Sequence, residues 1–360
     1  MIYIGAESII SPLGNSAEEN FTALKKNISG IGEFKTTALT DEKVFLSKFS
    51  NLPALNLYDF LLNAVFNSLR ERLAEDIFLS DKTGVIISTT KGDIEREIVG
   101  TIENSVSKLQ KHFSFKNIPL VVSNACASGV MSINMAANLI NAGIYEHCIV
   151  VGCDVISDFV LRGFNSLFAI SKSPCAPFDK ERMGITLGEG CAGLILSQSK
   201  NIFKEVPMKF VAGTSSNDAN HISGPSKTGE GLYRTVKKTL NLAGIKEKEI
   251  DFISAHGTAT VYNDDMESVA FDRLNMSEIP MNSFKGYFGH TLGAAGLIET
   301  AMCLQSMRNN LLIKSLGYTT PGTVKKLHII SENVQTEVNT VLKTSSGFGG
   351  CNASLILRKI

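Results

Sequence analysis

The sequence lacks an excess of charge of either sign, a CxxC cysteine pair and a long uninterrupted apolar run. Its 35 Lys and Arg residues balance 35 Asp and Glu residues, so no overall field attracts nucleic acid or an anionic membrane. Seven cysteines, an odd number, argue against a disulfide scaffold and a structural zinc site. The start, "MIYIGAESIISPLGN", has no basic leader, and Asn and Gly interrupt the charge-free stretch 117–145. We therefore expect a reduced, cytoplasmic protein that contacts neither nucleic acid nor membrane.

What the sequence does contain is an alternation of short β-rich runs with helical patterns, which predicts an α/β fold with helices covering the sheets. Helices at 127–141 and 292–308 are apolar nearly all round and begin with small residues, so we expect both to be buried on every side. "GEGCAGLILS" and "FGGCNASLILR" resemble each other and hint at a duplicated architecture. Strands are predicted at 2–5, 84–89, 118–123, 148–153, 192–197, 209–213, 251–255, 280–283, 341–344 and 354–358, and further helices at 17–27, 58–73, 93–111, 230–242 and 265–274.

One cysteine stands where a predicted strand ends and a helix begins. In "SNACASGV", Cys126 follows the apolar run and precedes small residues. The positive end of a helix dipole and its free N–H groups stabilise a thiolate and lower the pKa of a thiol. We therefore interpret Cys126 as a nucleophile, the alternative being a buried core cysteine.

Two further segments place titratable residues after predicted strands. In "ISAHGTATVYNDDMES", His256 follows an apolar strand, and Asp264 and Glu267 are either an N-cap with its capping-box partner or a support for the loop. In "NSFKGYFGHTLGAAG", Lys285 follows another strand and His290 opens the second apolar helix. Two helix N-termini directed at one centre favour developing negative charge. The turn "TSSGFGGCN" is either a plain hairpin or the source of a backbone N–H for an oxyanion.

With these residues in this order, the chain resembles the β-ketoacyl-acyl carrier protein synthases of the elongating type, in the thiolase-fold superfamily. The motifs "ACASG", "AHGTATVYNDDMES", "FKGYFGHTLGAAGLIE" and "SGFGGCNASLIL" match in identity, spacing and order. The resemblance implies a thiolase-like, five-layered αβαβα fold built from two similar halves. We place these at residues 1–205, with the nucleophilic cysteine, and 206–360, with the catalytic histidines.

The resemblance also implies how the reaction is shared among residues. Cys126 takes an acyl chain from the thioester of a carrier protein, and the backbone N–H groups of Cys126 and Phe348 form the oxyanion hole, with Phe348 as a gate. His256 and His290 hold the malonyl thioester oxygen during decarboxylation. A Claisen condensation needs a nucleophile, a polarising pair and an oxyanion hole, and all three are present.

The remaining matching residues are given supporting roles by the same resemblance. Lys285 supports the histidines, with Glu267 and Asp264 behind it, and Thr258 and Thr260 match positions that bind the pantetheine arm. No metal and no cofactor are expected, because the phosphopantetheine arrives on the acyl carrier protein. The expected product is a 3-oxoacyl-acyl carrier protein of fatty acid, polyketide or polyene synthesis.

Alternative functions stay open at this point. A chain-length-factor-like partner shapes a heterodimer without catalysing, and such partners usually lack the cysteine. A thiol hydrolase uses Cys, His and Asn in the order of Cys126, His256 and Asn282. Initiating synthases of the superfamily use one His and one Asn, and His290 argues against that type. The segment between residues 84 and 126 is shorter than in the elongating family, which leaves open a homodimer or a heterodimer with a related subunit.

Overall fold

The computed structural model describes residues 1–36, 43–50, 52, 56–96 and 99–360, in which strands and helices alternate. The strands are β1 (Ile2–Ile10), β2 (Ile31–Lys35), β3 (Lys43–Ser47), β4 (Thr83–Ser88), β5 (Leu120–Val122), β6 (His147–Asp154), β7 (Leu187–Gly188), β8 (Gly190–Ser197), β9 (Met208–Asn217), β10 (Phe252–Ser254), β11 (Met281–Asn282), β12 (Leu311–Leu312), β13 (Val334–Gln335), β14 (Thr340–Gly347) and β15 (Cys351–Arg358). The helices are α1 (Ala17–Lys25), α2 (Leu57–Arg72), α3 (Glu75–Phe78), α4 (Thr101–Phe113), α5 (Ser128–Asn141), α6 (Asp158–Ser166), α7 (Glu230–Ala243), α8 (Val261–Arg273), α9 (Lys285–Phe288) and α10 (Ala295–Asn309).

Ten of these strands form a continuous sheet whose order repeats. Within the described residues, the order is β11-β10-β14-β15-β9-β1-β8-β6-β4-β5. From β1 outward the pairings to β8, β6, β4 and β5 are antiparallel, antiparallel, parallel and parallel. From β9 outward the pairings to β15, β14, β10 and β11 follow the same series. Two similar five-stranded units therefore meet where β1 pairs with β9. The strands of the first unit precede residue 205 and those of the second follow it.

Apolar clusters lie on both faces of each unit and pack the sheet against helices on either side. Alternate residues of a strand point to opposite faces. In the first unit, Ile86 packs toward α5 and α10 whereas Ile87 packs toward α2. In the second unit, Val341 packs toward α5 and α10 whereas Leu342 packs toward α7 and α8. The layers are thus helix, sheet, central helices, sheet and helix, which confirms the five-layered αβαβα prediction.

The central layer depends on two glycines at the crossing of α5 and α10. A Cβ atom added at Gly129 would lie 2.9 Å from the Cα atom of Gly296, and one added at Gly296 would lie 2.5 Å from the backbone nitrogen of Val130. The backbones therefore touch, as the small residues at both helix starts predict. Residues 295–307 of α10 are all buried, as predicted. The same prediction is wrong for one face of α5, where Met131, Met135 and Leu139 are only partly buried.

Several predicted boundaries differ from the structure for local reasons. The helix predicted at 93–111 begins at Thr101, because Gly100 has a left-handed φ of 72°; Glu97 and Ile98, also inside that prediction, lie outside the described residues. The helix predicted at 292–308 starts as a 3₁₀ turn, Leu292–Ala294, before α10. β2, β3 and β7, which form a small separate sheet, and α6 were not predicted. No helix in the described part of the chain combines the length and apolarity that a membrane crossing needs.

Candidate active site

Cys126 lies on a sharp bend between β5 and α5. Ala125 precedes it with a φ of 45°, which is unusual for a residue other than glycine. The Ser128 hydroxyl stabilises the bend, since it accepts the N–H of Asn124 at 2.7 Å and donates to the carbonyl of Ala125 at 2.6 Å. Ser345 on β14 donates to the Cys126 carbonyl at 2.8 Å. The second unit therefore helps to position the cysteine that the first unit supplies.

His256 lies in the loop after β10. Two carboxylates of α8 accept backbone N–H groups of this loop. Glu267 accepts the N–H groups of His256 at 2.8 Å and Gly257 at 2.6 Å. Asp264 accepts the N–H groups of Thr258 at 3.0 Å and Phe178 at 2.7 Å. The loop-supporting interpretation of both carboxylates therefore agrees with the structure.

The capping interpretation of the same two carboxylates is wrong. α8 begins at Val261 with Thr260 at the N-cap position, one turn before the predicted start, so that Asp264 and Glu267 lie inside the helix. Burial raises the pKa of Asp264 to about 6 and that of Glu267 to about 7, the latter with a further rise from Asp264. The backbone N–H groups that the carboxylates accept oppose both rises.

His290 is held by backbone from the first half of the chain, at β7 of the small sheet. Its N–H donates to the carbonyl of Thr186 at 2.7 Å, and its carbonyl accepts the N–H of Gly188 at 3.0 Å. Asp154, at the end of β6, accepts the N–H of Gly293 at 2.8 Å and so holds the turn that leads into α10. The position of His290 thus depends on β6 of the first unit and on β7 of the small sheet.

The cysteine and the two histidines converge, as the sequence predicts. One ligand-type atom from each of Cys126, His256 and His290 lies within 4.8 Å of the others, and all three residues are buried. The two imidazole rings meet edge to face with centroids 5.2 Å apart. A single secluded centre therefore holds a sulfur and two imidazoles that lie far apart along the chain.

Hydrogen bonds fix which nitrogen of each imidazole carries the proton. Lys285 Nζ lies 3.3 Å from His256 Nδ1, 2.5 Å from the His256 carbonyl and 2.6 Å from Glu299 Oε1. These are three acceptors for the three protons of an ammonium, so His256 Nδ1 accepts and Nε2 carries the hydrogen. His290 Nδ1 accepts the N–H of Leu292 at 3.3 Å, which leaves a hydrogen on Nε2 as well. His290 Nε2 has no partner among the described residues.

Both histidines are neutral donors at neutral pH. Burial lowers the pKa of His256 well below its ordinary value, and Lys285, His290 and Lys343 lower it further. Burial, Lys285 and Lys343 likewise lower the pKa of His290. Two neutral Nε2–H groups directed at one cavity are suited to an oxygen on which negative charge develops.

The cysteine itself differs from expectation. Burial raises the pKa of the Cys126 thiol to about 12, although the Lys285 charge and the backbone N–H groups of Phe348 and Cys126 act in the opposite direction. The expected lowering of this pKa is therefore wrong for the resting site, because full burial outweighs the charge and the N–H donors. The sulfur is therefore a thiol at neutral pH. The same two N–H groups are those predicted for the oxyanion hole, and both reach the sulfur.

A cavity of about 590 Å³ leads from this centre to solvent. Thr258 and Thr260 line it, with their hydroxyls 2.8 Å apart, so the predicted pantetheine-binding residues face the approach to Cys126. Phe348 also lines the cavity and stacks on Phe164, with ring centroids 5.4 Å apart. Phe348 is about one-third exposed, so its ring lies at the boundary between cavity and solvent, where a gate belongs.

Asn282 does not complete a hydrolase-like triad. Asn282 ends β11, and its side-chain amide donates to the carbonyl of Ile313 at 2.8 Å in the core. His256 Nδ1 instead faces Lys285. A thiol protease needs an amide or carboxylate on that nitrogen to orient the base. The geometry therefore disfavours the hydrolase alternative.

Three buried charged residues near the site were missed from the sequence. Glu299 on α10, Lys343 on β14 and Asp154 on β6 are at most 4% exposed. A signal was present for the first two, since Glu299 is the single charged residue before the end of a predicted apolar helix and Lys343 interrupts a predicted apolar strand. A charge in such a run is expensive unless it is paired, and is therefore a candidate for function.

Comparison with known proteins agrees with this geometry. A family model described as "Beta-ketoacyl synthase, N-terminal domain" matches residues 63–201, and one described as "Beta-ketoacyl synthase, C-terminal domain" matches residues 210–319. Together the two models cover more than half of the chain and include Cys126, His256 and His290.

Individual relatives cover different shares of their own length. The 3-oxoacyl-[acyl-carrier-protein] synthase 2 of Rhizobium meliloti is 34% identical over 66% of this chain but over only 60% of that protein, so this match spans less than two thirds of the relative. The 3-oxoacyl-[acyl-carrier-protein] synthase 2 of Coxiella burnetii is 25% identical over 100% of this chain and 98% of that protein. The ketosynthase ApeO of Xenorhabdus doucetiae, solved in complex with its chain length factor ApeC, is 25% identical with a TM-score of 0.85 over 100% of this chain and 98% of that chain.

Proposed function

Because the chain belongs to the β-ketoacyl synthase family, we propose that it is an acyltransferase that joins an acyl group on Cys126 to a malonyl unit by decarboxylating Claisen condensation. The substrates in this proposal are thioesters of an acyl carrier protein, and the product is a 3-oxoacyl-acyl carrier protein. The pantetheine arm that the carrier protein brings is the only cofactor that the proposal needs.

In the first half-reaction, the Cys126 sulfur attacks the carbonyl carbon of the acyl thioester. The N–H groups of Cys126 and Phe348 both reach the attacking sulfur, so they also lie close to the carbonyl oxygen on which the negative charge develops, and they stabilise it. The bond from the acyl carbon to the pantetheine sulfur then breaks. The thiol proton of Cys126 leaves with that sulfur, so that an acyl-cysteine and a free pantetheine thiol result.

In the second half-reaction, malonyl thioester enters the same cavity. The two Nε2–H groups of His256 and His290 donate to its thioester oxygen. As carbon dioxide leaves, the electron pair of the broken C–C bond becomes an enolate, whose charge on that oxygen the two donors stabilise. The enolate carbon attacks the acyl-cysteine, the Cys126 thiolate departs, and a proton from solvent restores the thiol.

The convergence of Cys126, His256 and His290 within 4.8 Å is the observation that carries this proposal. The histidine tautomers add to it, since two donors that both point inward suit an oxygen acceptor better than a proton to be abstracted. A non-catalytic partner subunit has no use for a complete set of nucleophile, oxyanion donors and polarising pair.

We also propose that the chain pairs with a second copy or with a related subunit. The outer edge of β5 carries no paired strand among the described residues, and the partly buried face of α5, with Met131 and Met135, lies beside it. An apolar face next to an open sheet edge favours association by strand pairing. The ApeO relative, which was solved with its chain length factor, makes a related subunit a reasonable partner.

Intact-mass analysis after incubation with an acyl-acyl carrier protein tests the nucleophile. We expect the wild-type chain to gain the mass of one acyl group and Cys126→Ala to gain none while keeping the wild-type melting temperature. Cys351→Ser is the matched control, because Cys351 is more exposed than Cys126 and should still be dispensable. An acyl adduct on Cys126→Ala, or its loss in Cys351→Ser alone, contradicts the proposal.

A further inference from the structure

The charge behind the two histidines comes from a chain of three buried residues. Lys285 Nζ lies 2.6 Å from Glu299 Oε1, and Lys343 Nζ lies 2.7 Å from Glu299 Oε2. All three side chains are at most 4% exposed. One carboxylate is thus shared by two lysines, and only the first lysine contacts His256.

The surroundings of Lys343 require the charged form of its amine. Lys343 Nζ donates to the carbonyls of Ser254, Ala255 and Thr344 at 3.2, 3.3 and 2.7 Å. These carbonyls match its three protons, and Glu299 Oε2, 2.7 Å away, adds a carboxylate beside the ammonium. An uncharged amine would direct its lone pair at one of these acceptors. Burial lowers the pKa of Lys343, and the Glu299 carboxylate opposes that shift.

The placement of Lys343 also fixes the strand that leads to His256. Ser254 and Ala255 end β10 immediately before that histidine, and Lys343 joins their carbonyls to β14. The lysine therefore acts both on the backbone before His256 and on the carboxylate behind Lys285.

We propose that Lys343 is a second positioning lysine, which balances Glu299 so that the charge of Lys285 is not cancelled and the two histidines face a cluster with one net positive charge. Without Lys343, the pair of Lys285 and Glu299 is neutral. With it, the cluster is cationic, which favours the enolate oxygen and disfavours protonation of the imidazoles. The catalytic part of this proposal rests on the proposed condensation; the charge balance does not.

Titration of the histidines tests the charge balance independently of activity. With the six histidines labelled, nuclear magnetic resonance follows the protonation of His256 and His290 in the folded protein. Among the described residues, Lys285 and Lys343 act on both rings, which also face each other, and Cys126 lies beside them. Glu299 contacts both lysines, and Glu267 and Asp154 hold the backbone next to His256 and His290. In Lys343→Met the removal of one positive charge should raise the pH at which both histidines gain a proton, whereas the wild-type histidines stay neutral to lower pH.

The double variant Lys343→Met/Glu299→Gln makes the test sharper. In this variant, Lys285 is the only charged residue left of the cluster of Lys285, Glu299 and Lys343, so the cluster again has one net positive charge, as in the wild type. The pH at which the histidines gain a proton should therefore return to the wild-type value. If Lys343 had only a structural role, the histidine titrations of the double variant should differ from those of the wild type at least as much as those of Lys343→Met do, because two buried side chains are then changed and not one. An unchanged histidine titration in Lys343→Met, or no return in the double variant, overturns the proposal.

Carbon dioxide release from malonyl-acyl carrier protein then measures the catalytic consequence. Lys343→Met should lower kcat by about 10-fold with KM little changed, which is the usual scale for residues that act through another. Arg308→Gln is the matched control, because it breaks another ion pair of α10, with Glu7, away from the histidines. It should lower the melting temperature without moving kcat or the histidine titrations. Absent release in the wild type refutes the condensation, whereas a normal kcat in Lys343→Met refutes only the role of Lys343.

Discussion

The two units of the molecule share one strand order but bury different kinds of side chain. The central strand of the first unit, β6, places Val150 against the central helices, whereas the central strand of the second, β14, places Lys343 there. The first unit supplies the nucleophile Cys126, and the second supplies both histidines and the buried Lys285, Glu299 and Lys343 behind them. Two units with the same strand order therefore contribute different chemical groups to the site.

The difference shows what a repeated fold does and does not determine. The topology brings the ends of corresponding strands and the starts of α5 and α10 to one place, in both units. It does not determine which residues stand there. Charge is tolerated in the second unit because each buried ammonium meets as many acceptors as it has protons.

The largest expected effect is that single substitutions in the two units stop different half-reactions. His290→Ala removes one of two donors from the second unit, so carbon dioxide release should fall by about 10³-fold while acylation of Cys126 continues. Cys126→Ala should do the reverse and still release carbon dioxide. The measurements are released carbon dioxide and the mass of the protein after acyl transfer.

A matched variant distinguishes this division from general damage. His328→Ala changes an exposed histidine of the same unit and should leave both half-reactions as they are. If His290→Ala abolished acylation as completely as decarboxylation, the tasks would not be divided between the units.

A smaller effect is expected at the crossing of α5 and α10, where the backbones of the two central helices touch. Gly296→Ala places a methyl group against the backbone of Val130, which cannot move without shifting α5. We expect a loss of about 1–3 kcal/mol in the free energy of unfolding, the usual range for overpacking. Chemical denaturation measures it. Gly163→Ala is the control, because nothing lies within 4 Å of the added methyl group in α6, and it should be neutral or stabilising.

The smallest effect is a pH dependence confined to the second unit. In Cys126→Ala, carbon dioxide release should change less than about twofold between roughly pH 7.5 and 9, because the lowered pKa values keep both histidines neutral there. Below about pH 7 the rate should fall, since the pKa of Glu267 is raised to about 7 and its protonation releases the N–H groups of His256 and Gly257.

Glu267→Gln separates the carboxylate from the imidazoles in this profile. Because glutamine does not titrate, the fall near pH 7 should disappear even if the overall rate is lower. A fall that persists near pH 7 in Glu267→Gln would mean that another group titrates there, either a histidine, contrary to its burial beside Lys285, or Asp264, whose pKa burial raises to about 6.

Much of this arrangement follows from local sequence pattern. All ten strands of the large sheet lie within or overlap their predicted ranges, because buried β-branched runs bounded by glycine and polar residues are strong local signals. Cys126, His256 and His290 were identifiable because each follows such a strand. β2 escaped prediction because none of its residues is buried, and β3 because its apolar run is only three residues long.

The local sequence pattern does not show which buried charged residues, far apart along the chain, form ion pairs. The link between Glu299 and Lys343 exists only because α10 packs on β14, which no local window encodes. The raised pKa of Cys126 has the same origin, since it depends on burial by both units. Sequence therefore identifies the reacting groups, and the fold is needed to find the charges that control them.

The most direct test of the central claim is a crystal structure of the chain alkylated at Cys126 with iodoacetamide at alkaline pH. If one chain places the sulfur of the first unit against the imidazoles of the second, the acetamide carbonyl oxygen should lie within about 3.2 Å of Nε2 of His256 or His290. An alkylated Cys126 whose carbonyl contacts neither imidazole, with the histidines directed elsewhere, would contradict the account.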